Sequence, residues 1–269
     1  MKILAVLTDA GSVRPCLDAA VMAGRFDSHV QIEALHVVVD PDHLIAASEE
    51  VQFQRLREAS EGTARDKARA VEAEFLRSNA AADDRMSPIT WEAPVGAEEE
   101  LILQSARDAD LIVLLQGHDM DSGDARHAAI RATKKPLLLV PASWTPQSDR
   151  FAHIAVALSD TPIAADAIDA ALPWLQDAAH VTALRIGTPE DEAVALADRI
   201  RTAGVDVDMH IVAPEGDDRG AQIVHEARAI GADLLVAGAY RHGPLVEWLL
   251  GGTTRHMLAA AELPLFLAH

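Results

Sequence analysis

Ile3-Leu4-Ala5-Val6-Leu7-Thr8-Asp9 and Ile154-Ala155-Val156-Ala157-Leu158-Ser159-Asp160 share one pattern, an apolar run closed by a hydroxyl and then an aspartate, 151 positions apart (154 − 3). Two further matches follow in the same order. Ala109-Asp110-Leu111-Ile112-Val113 corresponds to Ala232-Asp233-Leu234-Leu235-Val236 at an offset of 123 (232 − 109). Lys135-Pro136-Leu137-Leu138-Leu139-Val140 resembles Leu263-Pro264-Leu265-Phe266-Leu267-Ala268 at 128 (264 − 136). Similar segments in the same order are the signature of a duplicated unit. The polar, proline-containing stretch from Ser143 to Asp149 divides the copies, giving a first domain over 1–145 and a second over 150–269. For 269 residues, two domains also fit the usual size of roughly 100–200 residues each.

Within each copy short apolar runs alternate with segments of helical period. The first copy predicts strands near 2–8, 30–39, 88–93, 110–116 and 136–141, with helices near 13–26, 44–80, 97–107 and 124–133. The second predicts strands near 152–158, 180–186, 206–213, 233–239 and 263–268, with helices near 162–177, 190–203, 218–230 and 253–261. Strands apolar on both faces and separated by helices imply a parallel sheet covered on each side. Right-handed crossovers then give two tandem doubly wound α/β/α sandwiches with five-stranded parallel sheets. The first copy's extra length falls in its second helix, whose charged, thinly apolar sequence reads as a solvated face.

Composition bounds the function. Forty-two acidic against 23 basic side chains leave a net charge of −19, which repels nucleic acid and anionic lipid while leaving room for a small anion held by local dipoles. The apolar run at the N-terminus is cut off by Thr8-Asp9, too short for a signal core or a membrane span. One cysteine, Cys16, forms no internal disulfide and fits a reducing compartment; it reads as a small buried residue. His36 and His225 read as structural histidines, and no histidine stands at metal-ligand spacing with a cysteine or carboxylate. The phosphate-loop, dinucleotide-fold and serine-elbow motifs are absent.

The informative stretch is Gly238-Ala239-Tyr240-Arg241-His242-Gly243 through Gly251-Gly252-Thr253-Thr254. Adjacent glycines let a backbone approach a phosphate closely, and the threonines open a helix whose first N–H groups are unpaired and whose dipole is positive. The alternative is a helix end turning into the next helix. The stretch that follows the fourth strand of the first copy, 117–124, is shorter and carries Asp119, Asp121 and Asp124 instead, which repel phosphate and read as an acidic helix cap.

A duplicated α/β unit with aspartate closing its first strand, Gly238-x-x-x-x-Gly243 after its fourth and then Gly251-Gly252-x-Thr254, resembles a tandem universal stress protein. The family's pattern is G-x-x-G-x9-G-[S/T]; here Arg241 stands at the second glycine and Gly252 at the first hydroxyl, and Arg241 either pairs with phosphate or fills the pocket. The resemblance implies a Rossmann-like fold of the adenine nucleotide alpha hydrolase-like kind. It also implies a non-catalytic, cytoplasmic stress-response module whose second domain binds ATP, with magnesium, or another adenine nucleotide. Ser159, Asp160 and Ile186 would meet the base and nucleoside, Ala237 and Gly238 the ribose side, and Arg241, Gly243, Gly251, Gly252, Thr253 and Thr254 the phosphates. Pro136–Val140 and Pro264–Ala268 would pair within the chain as fifth strands do across a dimer of the family, higher oligomers being left open. The competing reading is an interaction or scaffold protein in which both clefts have lapsed.

Overall fold

The structure, a computed structural model, describes residues 1–42, 52, 55–56, 58–59, 62–81, 89–116, 135–159, 162–188, 191–238 and 252–268. The chain divides into two compact units, Met1–Lys135 and Pro136–His269. The first contains β1 (Lys2–Val6), α1 (Ala10–Gly24), β2 (Gln31–Leu35), α2 (Ala64–Ala81), β3 (Thr90–Glu92), α3 (Glu98–Ala106) and β4 (Leu111–Gln116). The second contains β5 (Leu137–Pro141), β6 (His153–Ala157), α4 (Pro162–Asp177), β7 (His180–Ile186), α5 (Asp191–Thr202), β8 (Asp208–Val212), α6 (Arg219–Ala229), β9 (Leu234–Gly238), α7 (Gly252–Ala260) and β10 (Leu265–Ala268). Alternating strands and helices on mostly parallel sheets make the α/β class plain.

In the first unit the strands run in the order β3-β2-β1-β4, all parallel. The second unit repeats that order as β8-β7-β6-β9, and extends it with parallel β10 and then antiparallel β5. The expected pairing of Pro136–Val140 with Pro264–Ala268 is present and antiparallel, with Leu139 opposite Leu265 and Leu137 opposite Leu267. The expected doubly wound α/β order, with the first strand of each copy flanked by the second and fourth, is present in both units.

The central strands are buried on both faces: Ile3, Leu4, Ala5, Ile112, Val113, Leu234, Leu235 and Val236 are at most 1 % exposed. This is why they read as unbroken apolar runs rather than alternating ones. On the helical layers, α1 packs on α2, α4 on α5, and α6 on α7; α4 lies over β9 and β10, and α6 over β7. Phe266 of β10 meets Trp174 of α4 with ring centres 5.0 Å apart.

The repeated Ala-Asp-Leu triplet turns out to be a strand clamp. The carboxylate of Asp110 accepts the Lys2 N–H at 2.8 Å, and its own N–H donates to the Lys2 carbonyl at 2.8 Å. Asp233 accepts the N–H groups of Ala152 and His153 at 2.8 and 3.1 Å and donates to the His153 carbonyl at 2.9 Å. In both units the aspartate thus joins the entry of the first strand to the entry of the fourth. Burial raises the Asp233 carboxyl pKa above its ordinary value, against the lowering effect of the backbone N–H groups it accepts.

Local signals set the other boundaries. The first helix starts at Ala10 rather than near 13 because Asp9 caps it: its carboxylate accepts the Ser12 N–H at 2.9 Å, and the Ser12 hydroxyl accepts the Asp9 N–H at 3.2 Å. The earlier part of the helix expected over 44–80 falls mostly outside the described residues, and the helix expected at 124–133 does so entirely. Among the described residues no helix is long and apolar enough to cross a membrane.

Candidate functional site

In the second unit β7 and β8 lie to one side of β6, whereas β9 and β10 lie to the other. The segments leaving β6 and β9 therefore part in opposite directions, and such a reversal opens a crevice at the carboxyl ends of the two strands. The register Val156↔Val236, continued two residues, sets Leu158 beside Gly238, with Ser159 half-buried just beyond. Ala237 is enclosed in β9, and Ile186 closes the neighbouring strand, 7 % exposed. The fold thus brings Ser159, Ile186, Ala237 and Gly238 to one end of one sheet. Asp160, Arg241, Gly243 and Gly251 lie outside the described residues.

Gly252, Thr253 and Thr254 form the first turn of α7, and Thr253 is exposed. Because α7 runs back from β9 to parallel β10, its N-terminus and its unpaired N–H groups belong to the carboxyl side of the sheet. Partial positive charge is therefore presented on the side where the crevice opens.

Gly238 has a packing reason of its own. A β-carbon there would stand 2.9 Å from the backbone carbon, the carbonyl oxygen and Cγ2 of Ile163, in the first turn of α4. Its missing side chain lets α4 close onto the end of β9, so that glycine alone does not signal a ligand.

Sequence reasoning missed the residues that seat α7. A β-carbon on Gly220 would lie 2.0 Å from the Thr253 carbonyl oxygen and 2.7 Å from the Met257 nitrogen. Nearby, Nδ1 of His256 lies 2.8 Å from Oδ1 of Asp218, the residue that caps α6 by accepting the Ala221 N–H at 2.9 Å. The available signal was a glycine two residues after a capping aspartate, inside the first turn of a helix where glycine is costly.

The equivalent end of the first unit is arranged differently. Asp9 is engaged in capping α1 and lies 3.3 Å from the Thr8 hydroxyl. His36 is buried, its Nδ1 is 2.7 Å from the Leu7 carbonyl, and its ring stacks on Trp91, which stacks in turn on Phe75. Burial holds the His36 pKa below the ordinary histidine value. Cys16 is fully buried, and burial pushes its thiol pKa upward, away from the reactive thiolate. His225, expected to be a satisfied structural residue, is exposed on α6. Among the described residues no group of three or more histidine, cysteine, aspartate or glutamate side chains is set to hold a metal ion; Asp119, Asp121 and Asp124 lie outside them.

No family model matches this sequence, and no curated protein matches it. Solved structures do. A universal stress protein from Archaeoglobus fulgidus DSM 4304 is similar with a TM-score of 0.63 at 15% identity, over 99% of this chain and 95% of its own. A functionally unknown protein from Pseudomonas aeruginosa PAO1 is similar with a TM-score of 0.55 at 15% identity, over 99% and 92%. At such identity the likeness speaks for architecture, and it runs through both units. The chain has the fold of the universal stress proteins.

Proposed function

We propose that the chain is a tandem, non-catalytic universal stress protein of the cytoplasm whose second unit binds an adenine nucleotide, ATP with magnesium, in the crevice between β6 and β9. The observation that supports this most is the convergence at one sheet end of the strand-order reversal and the start of α7, preceded by the glycine-rich stretch that resembles the family's phosphate loop. Ser159, Asp160 and Ile186 would face the base and nucleoside, Ala237 and Gly238 the ribose. Arg241, Gly243 and the Gly251–Thr254 turn would face the phosphates, with Arg241 either a phosphate partner or an obstruction. The first unit, whose Asp9 is committed to its helix cap, would bind none.

The test is calorimetry and thermal unfolding with ATP and magnesium. A ligand a hundredfold above its dissociation constant stabilises the folded protein by about 2.7 kcal/mol; absence of both heat and shift at millimolar ATP sinks the reading. Steady phosphate release abolished by Gly251→Val would instead make the protein a hydrolase. The packing role of Gly238 favours the second reading, a nucleotide-independent scaffold, because it explains that glycine without a ligand. Binding of ATP abolished by Arg241→Glu would exclude it.

A further inference from the structure

We infer that Asp218 and Gly220, at the start of α6, are positioning residues that set the Gly252–Thr254 turn at the crevice. The inference rests on the nucleotide reading and deepens it. Thr253 and Met257 are four apart, the spacing at which an α-helix joins a carbonyl to an N–H. The absent β-carbon of Gly220 would stand within 2.0 Å of that carbonyl oxygen and 2.7 Å of that nitrogen, and 2.9 Å from the His256 β-carbon. The backbone of α6 therefore rests directly on the first closed turn of α7, an approach that only glycine permits.

A polar fastener reinforces the steric one. Oδ1 of Asp218 receives the Ala221 N–H at 2.9 Å and lies 2.8 Å from Nδ1 of His256, one turn into α7. One carboxylate oxygen thus ties together the first turns of two helices. Glu226, further along α6, is held 3.1 Å from His210 of β8, so the helix bearing the seat is itself anchored to the sheet. Groups that bind charge through backbone donors must be held to within roughly 0.5 Å, and these contacts brace the first turn of α7 from outside the loop.

Among its described residues the first unit shows no counterpart of the Asp218–Gly220 seat. Shifted by the offset of 123, Asp218 and Gly220 fall on Val95 (218 − 123) and Ala97 (220 − 123). Val95 is 54 % exposed, and Ala97 opens α3 with no side-chain cap. The seat occurs in the unit that carries the glycine-rich stretch.

The experiment compares the full chain with Gly220→Ala and His256→Phe, the second keeping bulk but losing the ring nitrogen. Calorimetry with ATP and magnesium is read beside amide hydrogen exchange at 253–257 and in β6 and β9. Expected are about a tenfold loss of ATP affinity for Gly220→Ala and about threefold for His256→Phe. Exchange should rise in the first turn of α7 while both strands keep wild-type protection. Wild-type affinity in both variants overturns the inference, and so does faster exchange spread evenly through the unit. If Gly220→Ala fails to fold, His256→Phe decides by the same two measurements. If the wild type itself gives no ATP heat, the nucleotide reading falls alone; unchanged exchange at 253–257 in the variants would remove the seat as well.

Discussion

At the offset of 123 Ala97, the N-cap of α3, falls on Gly220, the second residue of α6, and one methyl group separates them. In the second unit that missing methyl admits the backbone of α7; in the first, the helix opens on an uncapped alanine. The aspartate clamp, by contrast, is common to both: Asp110 and Asp233 each bind the entry of the first strand. Features shared by two units of one strand order belong to the fold, and those confined to one are where a specialised site is to be sought.

The largest effect expected is that of Gly220→Val. Its branched side chain would be forced into a space where even Cβ comes within 2.0 Å of the Thr253 oxygen, and overpacking of this severity costs about 3 kcal/mol or more. Ala97→Gly should shift stability by only a few tenths of a kcal/mol, glycine being an acceptable N-cap. Urea unfolding of both variants checks the contrast. Equal effects would mean that the α6–α7 contact is no tighter than an ordinary helix start.

Next come the clamps. Asp233→Ala leaves two N–H groups near the interior without their acceptor and should cost about 1–3 kcal/mol. Asp110→Ala leaves one, in an exposed setting, and should cost less. Thermal unfolding measures both, and the comparison breaks if Asp110→Ala proves the more damaging or if either variant is neutral.

How much of this was legible beforehand follows from the range of the interactions. The strand order could be read because each buried strand is a local apolar run and the repeats fixed their sequence. The start of α1 lies three residues ahead of the apolar period because Asp9, which also closes the first apolar run, pairs with Ser12 three positions on in a capping box. The packing reason for Gly238 could not be read, because absence of a side chain looks the same in sequence whether a nucleotide or Ile163 needs the space. Gly220 was passed over since its partner, Thr253, is 33 residues away (253 − 220) and no short pattern joins them. The pairing of β5 with β10 was legible because two apolar strands closing the copies would otherwise stand exposed.

The smallest effect separates the units by pH. Leu7 donates its N–H to the Leu35 carbonyl, as Leu158 does to that of Leu184, so His36, just past β2, and Arg185, near the end of β7, occupy corresponding positions. Both are buried. Arginine stays charged at any relevant pH, whereas burial depresses the His36 pKa from 6.5. The unfolded chain then binds a proton more readily than the folded one, so stability rises with pH through this window. The contribution of His36 is fully present above about pH 6.5 and is lost as pH falls below it, with a slope of at most about 1.4 kcal/mol per pH unit. Replacement by glutamine, His36→Gln, keeps a donor for the Leu7 carbonyl but cannot titrate. Measured by thermal unfolding from pH 8 to pH 5, any advantage of the wild type over this variant should shrink as the pH falls below about 6.5. A difference that stays constant would mean that His36 remains equally protonated, or equally neutral, in both states, and that burial at this corner of the first unit does not exclude the proton.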